Sequence, residues 1–200
     1  MNNHVPTVED LQQARKVFGT RELRDVFYRA ATDLVETALR GAGSVTVAEA
    51  IAVLLQTWNR SYYQFRPAHA AHFEAMERLF ATHKGWLTQV RTRSIDSMSD
   101  SDARPVSEVF GEFEALLGPV GAAKALHLLA PCFLPLWDRR IAAAYGLKLG
   151  PVGTNSQRYV RFMYVAKDQS LRIGGSQALG RNILKALDEY NYCRFTKGWM

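Results

Sequence analysis

A chain of 200 residues is long enough to bury a substantial core, and 48% hydrophobic with 22% charged residues is a globular composition, which excludes a disordered or fibrous chain. The net charge of +6 suits an anionic partner such as nucleic acid, although charge alone does not establish one. Cys132 and Cys193 lie far apart and have no CxxC or Cys/His ligand spacing, which argues against structural zinc or an iron–sulfur cluster.

The N-terminal segment MNNHVPTVEDLQQARK lacks the basic and then apolar pattern of a secretion signal. No apolar run approaches the roughly 20 residues that cross a bilayer. We therefore expect a soluble, cytoplasmic protein with no membrane partner.

Helical periodicity dominates the first 65 residues. Thr7 and Asp10 have the spacing of a capping box at the start of a helix, and Gly19 is expected to end it. Residues 21–41 repeat apolar side chains at spacings of three and four, which predicts a second helix. A third is predicted over 45–65.

The middle of the chain contains the expected lobe boundary. Residues 69–95 predict two helices with a bend at Lys84 and Gly85. The polar stretch SMSDSDARP, residues 97–105, is typical of a flexible linker. It would separate an N-terminal helical lobe, residues 1–100, from a second lobe, residues 101–200.

The second half is also helical. A helical pattern resumes after the linker, and Asp138 is expected to cap a short helix that ends before Gly146. Residues 155–169 and 176–195 predict two more helices, and no convincing alternating pattern indicates a strand. The sequence therefore predicts an all-α, two-lobed protein.

The segment LLGPVGAAKALHLL, residues 116–129, resembles the helix-hairpin-helix element of the base-excision DNA glycosylases, the superfamily of endonuclease III and the 8-oxoguanine glycosylases. The resemblance implies that Gly118 and Gly121 let the backbone approach a DNA phosphate, with Val120 packing the hairpin. The following WDRRI resembles the segment that carries the family's catalytic aspartate. Together with TWNRSYYQFRP, the region also looks like a poorly characterised, divergent bacterial branch of the superfamily.

This resemblance implies roles for two residues. Asp138 would be the catalytic aspartate, and Lys124 matches the lysine that bifunctional members use. Lys124 precedes Asp138 by 14 positions, fewer than is usual in the family, and PCFLP replaces the usual connection. That difference weighs against a nucleophilic role for Lys124.

Aromatic and amide side chains collect at residues 58–65, WNRSYYQF, and such groups can stack on and hydrogen-bond a flipped base. Basic residues near the resemblance and in the C-terminal half are candidates for phosphate contacts. The candidate base pocket comprises Trp58, Asn59, Tyr62, Tyr63 and Trp137, and the candidate DNA contacts are Arg139, Arg140 and Lys185.

Each assignment has a structural alternative. An alternative for Asp138 is that it only caps a helix. The alternatives for Lys124 are that it contacts a phosphate or is an ordinary surface residue. The glycine turn fits an ordinary helix connection, and the aromatic residues fit core packing. His127, placed among leucines, is expected to be a hydrogen-bonded core histidine rather than a base.

The function expected from the resemblance is excision of a damaged or modified base from duplex DNA, in repair or in defence against phage with modified DNA. No metal or other cofactor is predicted, and the sequence does not indicate an oligomeric state. Two other functions remain open. One is a non-catalytic DNA-binding module, and the other is a helical protein that acts on a small molecule or a protein.

Overall fold

A computed structural model describes residues 5–64 and 69–200, except the side chains of Ser61 and Tyr62. Over these residues the fold is all-α, and no strand is present. None of the described helices is both long and apolar enough to cross a membrane. The helices are α1 (Val8–Arg21), α2 (Asp25–Leu39), α3 (Val47–Trp58), α4 (Arg60–Gln64), α5 (Ala70–Arg91), α6 (Asp100–Leu129), α7 (Arg139–Ala144), α8 (Ser156–Ile173) and α9 (Ile183–Asn191); a 3-10 turn spans Ile95–Ser97, and a π-helix, Tyr192–Lys197, continues α9.

The predicted start of α1 is confirmed. The Asp10 amide donates to the Thr7 hydroxyl, and the Asp10 carboxylate accepts from the Thr7 amide. The helix runs two residues beyond Gly19, to Arg21. A lone glycine in a helix costs about 1 kcal/mol, which buried neighbours such as Leu11 and Phe18 offset.

The predicted bend at Lys84 and Gly85 is wrong, because α5 is continuous from Ala70 to Arg91. Buried residues lie on both sides of the glycine, with Met76 before it and Leu87 and Val90 after it. Packing of both ends into the core outweighs the weak helix preference of one glycine.

The predicted linker at residues 97–105 is also wrong. Met98 is buried, and Ser99 caps α6 in a reciprocal capping box with Asp102. The Asp102 carboxylate also accepts hydrogen bonds of 2.6 and 2.8 Å from the Arg93 guanidinium. These polar residues start a helix, because their side chains satisfy the free amides of its first turn.

The predicted turn at Gly118 is present as a sharp break within α6. Gly118 has φ 70° and ψ 167°, a conformation that glycine alone adopts without strain, and helical segments precede and follow it. Pro119 opens the second segment, where a helix does not need the missing amide. Assignment of the two segments as a helix-hairpin-helix element stays a prediction.

Buried side chains from both halves of the chain belong to one hydrophobic cluster. The first helix packs against the last, and Arg15 of α1 forms a 3.0 Å ion pair with Glu189 of α9. Phe18 also contacts the ring of Tyr192 edge-on. The two ends of the sequence therefore meet, and the division into lobes at residue 100 stays a prediction.

The break at Gly118 leads us to expect opposite changes in stability when alanine replaces two different glycines. Gly118→Ala is expected to lower the free energy of unfolding by about 1–3 kcal/mol, because alanine is strained at this φ and ψ. Gly85→Ala is the matched control. It is expected to raise stability by about 0.5–1 kcal/mol, since the glycine is helical and, apart from the adjoining residues and backbone of α5, no described atom lies within 4 Å of the added Cβ. Urea titration measures both, and equal effects would contradict the assignment of the break.

Candidate active site

Two adjoining cavities lie where the end of α3, the break in α6, the start of α7 and the π-helix meet. An outer cleft of about 530 Å³ opens to solvent, and an inner pocket of about 50 Å³ lies beside it. Five residues line both cavities: Arg24, Trp58, Lys124, Asp138 and Tyr192. The sequence-predicted Lys124 and Asp138 are thus brought together in one site.

Asp138 is the N-cap of α7, as predicted. Its Oδ1 accepts hydrogen bonds from the amides of Arg140, at 2.7 Å, and Ile141, at 2.8 Å. Its Oδ2 accepts from the Thr196 hydroxyl at 2.7 Å. The carboxylate is therefore fixed in direction while it lines both cavities, so the capping role does not exclude a chemical one.

Lys124 is buried beside the cleft, and only 8% of its surface is exposed. Its ammonium donates a hydrogen bond to the carbonyl of Trp58, the last residue of α3. Burial lowers the pKa of Lys124 to about 8, although the charges of Asp138 and Asp188 act in the opposite direction. A lysine of this kind is partly neutral near physiological pH, which a nucleophilic amine requires.

Asp188 of α9 lines the inner pocket and is also buried, with 7% of its surface exposed. Burial raises the pKa of Asp188 to about 7, and the nearby charge of Lys185 only partly offsets this effect. A perturbed carboxyl in a cavity is a candidate for proton transfer near neutral pH. The sequence did not single it out.

Glu22, Arg24 and Tyr192 form a hydrogen-bonded group at the edge of the site. The Arg24 guanidinium donates two 2.8 Å hydrogen bonds to the Glu22 carboxylate, and the Tyr192 hydroxyl donates one of 2.6 Å. Burial acts to raise the pKa of Glu22, but the hydrogen bonds from Arg24 and Tyr192 lower it to about 2. Glu22 is therefore an ionised structural partner that holds Arg24 at the cavity wall.

Trp58 and Asn59 lie at the cleft, where the sequence placed a base pocket. The Trp58 indole donates to the carbonyl of Arg24 at 2.9 Å, and its ring stacks on Tyr28 with centroids 5.6 Å apart. Both residues are partly buried and line the outer cleft. They remain candidates for contact with a ligand in that cleft.

The other predicted base-pocket residues lie elsewhere or lack a free face. Tyr63 is buried beside His72, its hydroxyl 3.0 Å from the ring nitrogen, and it lines neither cavity, which contradicts a base-stacking role. Trp137 borders the inner pocket, but it is 1% exposed and packed against Phe110 and other core aromatic rings. The side chain of Tyr62 lies outside the described residues.

The glycine turn lines the outer cleft. Gly118, Val120 and Gly121 all border it. A Cβ at Gly121 would lie 2.9 Å from the side-chain nitrogen of Asn59 and 3.0 Å from the Cβ of Leu117. The absence of a side chain at Gly121 therefore permits close packing within the protein, which is a reason for glycine separate from an approach to phosphate.

Arg139 and Arg140 are exposed at the rim of the outer cleft. Arg140 donates a 2.6 Å hydrogen bond to the Thr196 carbonyl, whereas Arg139 makes no ion pair among the described residues. Their positions suit contact with an anion that approaches the cleft. The amides of Arg140 and Ile141 are already satisfied by Asp138.

Lys185 has a different position from the one predicted. It is 6% exposed, and its ammonium lies 3.1 Å from Asp25 and 3.5 Å from Glu189. The rings of Phe18, Tyr28 and Trp58 surround it at 4.2, 4.7 and 5.3 Å from their centroids. This buried position contradicts the prediction that Lys185 contacts a DNA phosphate.

His127 is a hydrogen-bonded core residue, as predicted. Its Nδ1 lies 2.8 Å from the Leu134 carbonyl, which can only accept, so Nδ1 carries the proton. Its Nε2 then accepts from the Tyr28 hydroxyl at 3.0 Å. Burial lowers the pKa of His127 to about 4, which favours this neutral form.

Sequence reasoning missed Glu22, Arg24, Asp188 and Tyr192. Their signal was weak, because each is an ordinary polar residue remote in sequence from the glycine turn. Charged residues within the apolar run ILKALDEY were the one available indication, since charge in a buried helix requires a partner.

No group of three or more His, Cys, Asp or Glu side chains that could hold a metal ion occurs within residues 5–64 and 69–200. Comparisons with family models, curated proteins and solved structures found no match to this chain. The residues of the cleft therefore provide the only basis for a proposed function.

The burial of Lys124 leads to a prediction about the free energy of unfolding. Lys124→Met is expected to raise the free energy of unfolding at pH 7 by on the order of 2 kcal/mol, because burial disfavours the ammonium in the folded state. Below about pH 8 the lysine is charged in both folded and unfolded chains, and its cost is complete. The advantage of methionine should shrink as pH rises from about 8 to 10.5, where the lysine becomes neutral in both states.

Chemical denaturation across this pH range measures the difference. Lys148→Met, at an exposed lysine, is the control and is expected to change stability by less than about 0.5 kcal/mol. Destabilisation by Lys124→Met at pH 7 would show that its hydrogen bond to Trp58 outweighs the cost of burying its charge.

Proposed function

We propose that the protein is a DNA glycosylase that excises a damaged or modified base and that the outer cleft receives the target nucleotide. One observation carries the proposal: Asp138, Lys124 and the Gly118 to Gly121 turn, which the resemblance selects from sequence alone, line a single cleft. Its volume of about 530 Å³ lies within the range of small-molecule sites, roughly 300–1,000 Å³.

Asp138 supplies the charge that this reaction needs. Cleavage of an N-glycosidic bond develops positive charge on the sugar, and a fixed carboxylate beside it lowers the energy of that state. The hydrogen bonds from α7 and Thr196 hold the Asp138 carboxylate in one orientation, so little reorganisation is needed during the reaction.

Lys124 would supply a second step, strand cleavage after the base has left. The neutral amine of Lys124 would form a bond to the aldehyde C1′ of the abasic site, and the aldehyde oxygen would leave as water. The resulting Schiff base is the intermediate of strand cleavage. The pKa of about 8 leaves only a minority of the amine neutral at pH 7, and the hydrogen bond to the Trp58 carbonyl holds it at the wall. We therefore propose a monofunctional enzyme with at most weak lyase activity.

Exposed basic residues at the rim would hold the phosphate backbone. Arg139 is exposed and makes no ion pair among the described residues, and the net charge of the protein is +6. Each phosphate neutralised by a cation releases counterions, which makes binding salt-dependent. Repair and defence against modified phage DNA are the two roles that fit such an activity.

A non-catalytic DNA-binding module is the second candidate. The observation in its favour is the inner pocket, whose volume of about 50 Å³ suits a few water molecules rather than a nucleobase. A flipped base must then lie in the outer cleft, against Trp58 and Asn59. The two candidates differ in whether any base is released.

The decisive experiment incubates the purified protein with duplexes that carry a panel of damaged and modified bases, with and without borohydride. We expect an abasic product from the wild type and a rate at least 100-fold lower with Asp138→Asn. Asparagine caps helices as well as aspartate does, so this change removes the charge and keeps α7. Asp168→Asn is the matched control. Asp168 is a partly exposed residue of α8 that pairs with Arg172, and its replacement should leave the rate of base release unchanged.

Two results would revise the proposal. Salt-sensitive binding of duplex without release of any base would support the non-catalytic module. A borohydride-trapped adduct that is lost with Lys124→Gln would establish lyase activity.

The exposed arginines at the rim of the outer cleft allow a separate prediction about DNA affinity and its dependence on salt. Arg139→Ala is expected to weaken binding of every duplex alike and to reduce the slope of log affinity against log salt by about 1. Arg161→Ala, at an exposed arginine of α8 that does not line the cleft, is the control and should leave both values unchanged. Electrophoretic or anisotropy titrations at several salt concentrations measure the slope, and equal effects of the two changes would exclude the rim contact.

A further inference from the structure

Asp188 differs from Asp138 and Glu22, the other carboxyl groups of the site, because its carboxyl accepts no hydrogen bond within the described part of the chain. No described residue donates a hydrogen bond to it, and its nearest cation, the Lys185 ammonium, lies 3.8 Å from Oδ2. By contrast, Asp138 accepts three hydrogen bonds. A buried carboxyl normally finds such donors, so Asp188 keeps acceptor capacity for a molecule in the inner pocket.

The inner pocket has the size for that molecule to be water. Its volume of about 50 Å³ exceeds the roughly 10–15 Å³ that one water requires. Asp138, Asp188 and Lys124 line it and offer the polar partners that a held water needs. Asp138 and Lys124 also border the outer cleft, so water here lies next to the place proposed for the sugar.

The charges around Asp188 come from several helices. Lys185 and Glu189 belong to its own helix, and Asp25 of α2 lies 3.1 Å from the Lys185 ammonium. Lys124 of α6 and Asp138 at the start of α7 line the inner pocket with Asp188, and their charges also act on it. The two lysines favour the ionised carboxyl, whereas Glu189 and Asp138 disfavour it.

Ion pairs and aromatic rings, rather than hydrogen bonds from the residues that the structure describes, surround the Lys185 ammonium. Its ammonium has no hydrogen-bond partner among the described residues, although it lies 3.1 Å from Asp25, and three aromatic rings enclose it. Cation–π attraction and ion pairing keep a charge fixed in such surroundings. A fixed cation next to Asp188 keeps part of its population ionised despite burial.

We propose that Asp188 is a second catalytic carboxylate, the base that deprotonates a water in the inner pocket, and that Lys185 is its positioning residue. This inference rests on the proposed function. The water oxygen forms a bond to C1′ while its proton passes to Asp188, and the bond from C1′ to the base breaks with its electron pair leaving on the base. The departing base takes a proton from solvent, and Asp188 later returns its own proton to solvent.

Asp138 and Asp188 then have different tasks. Asp138, fixed by three donors, stabilises positive charge on the sugar, while Asp188, free of donors, accepts a proton. The pKa of about 7 at Asp188 is the value that suits a base near neutral pH. The rate of base release should therefore rise with pH through about 7 and level off above it.

The test is the pH profile of base release, from pH 5.5 to 9, on a substrate that the wild type processes. Asp188→Asn is expected to lower the plateau about 100-fold or more and to abolish the rise near pH 7. Because burial disfavours the ionised carboxyl, the neutral amide is expected to fold. Circular dichroism and a melting curve check this for every variant.

Replacement of two charged neighbours of Asp188 is expected to shift the pH at which the rate rises, in opposite directions. Lys185→Met removes a cation and is expected to move the rise to higher pH. Glu189→Gln is the matched control, since Glu189 lies on the same helix, buried and 3.5 Å from Lys185, but does not line the inner pocket. It should keep the plateau and move the rise slightly to lower pH.

The outcomes separate this inference from the proposed function. Absence of base release by the wild type on every duplex overturns both. Release that is lost with Asp138→Asn, together with an unchanged rate and pH profile for Asp188→Asn, overturns the role of Asp188 alone. Equal loss of rate with Asp188→Asn and Glu189→Gln also overturns it, because that pattern reports disturbed packing rather than proton transfer.

Discussion

The polar groups of the site are arranged around one buried charge, the ammonium of Lys124. Removing an ammonium from water is costly unless acceptors and opposite charges surround it. The Trp58 carbonyl supplies the hydrogen bond because α3 ends there, and the last carbonyls of a helix lack partners within it. Asp138 and Asp188 supply the opposite charge. The end of α3, the start of α7 and the helix α9 thus meet around the Lys124 ammonium.

Contacts around this point tie distant segments together. The indole of Trp137 donates to the carbonyl of Pro119, which joins the break in α6 to the residue before Asp138. Thr196 of the π-helix donates to Asp138, so the C-terminal segment also holds the carboxylate. Such support from neighbouring groups keeps functional side chains in one geometry.

Local features of the site could be predicted from the sequence. Asp138 as a cap and Gly118 as a break depend on residues within one turn of the chain, where the chemistry is short-range. His127 among leucines could have only the neutral, hydrogen-bonded form that a core allows. The all-α class followed from the same periodicity.

Other features depend on contacts that the sequence does not show. The sequence predicts that Lys185 contacts DNA, but its ammonium is enclosed by aromatic rings from α1, α2 and α3. The pKa of Asp188 is raised by burial and also depends on charges from other helices, such as those of Asp138 and Lys124. The polar run at 97–105 resembled a linker because its partner, Arg93, lies before it and pairs only in the fold.

We propose that the outer cleft receives a nucleotide with its sugar next to Asp138. The most direct measurement is a crystal structure with a duplex that contains a stable abasic-site analogue. We expect the analogue's ring to lie in the outer cleft, within hydrogen-bond or van der Waals contact of Asp138 and Lys124, with Arg139 near a flanking phosphate. A duplex bound on another face, with the cleft unoccupied, would contradict it.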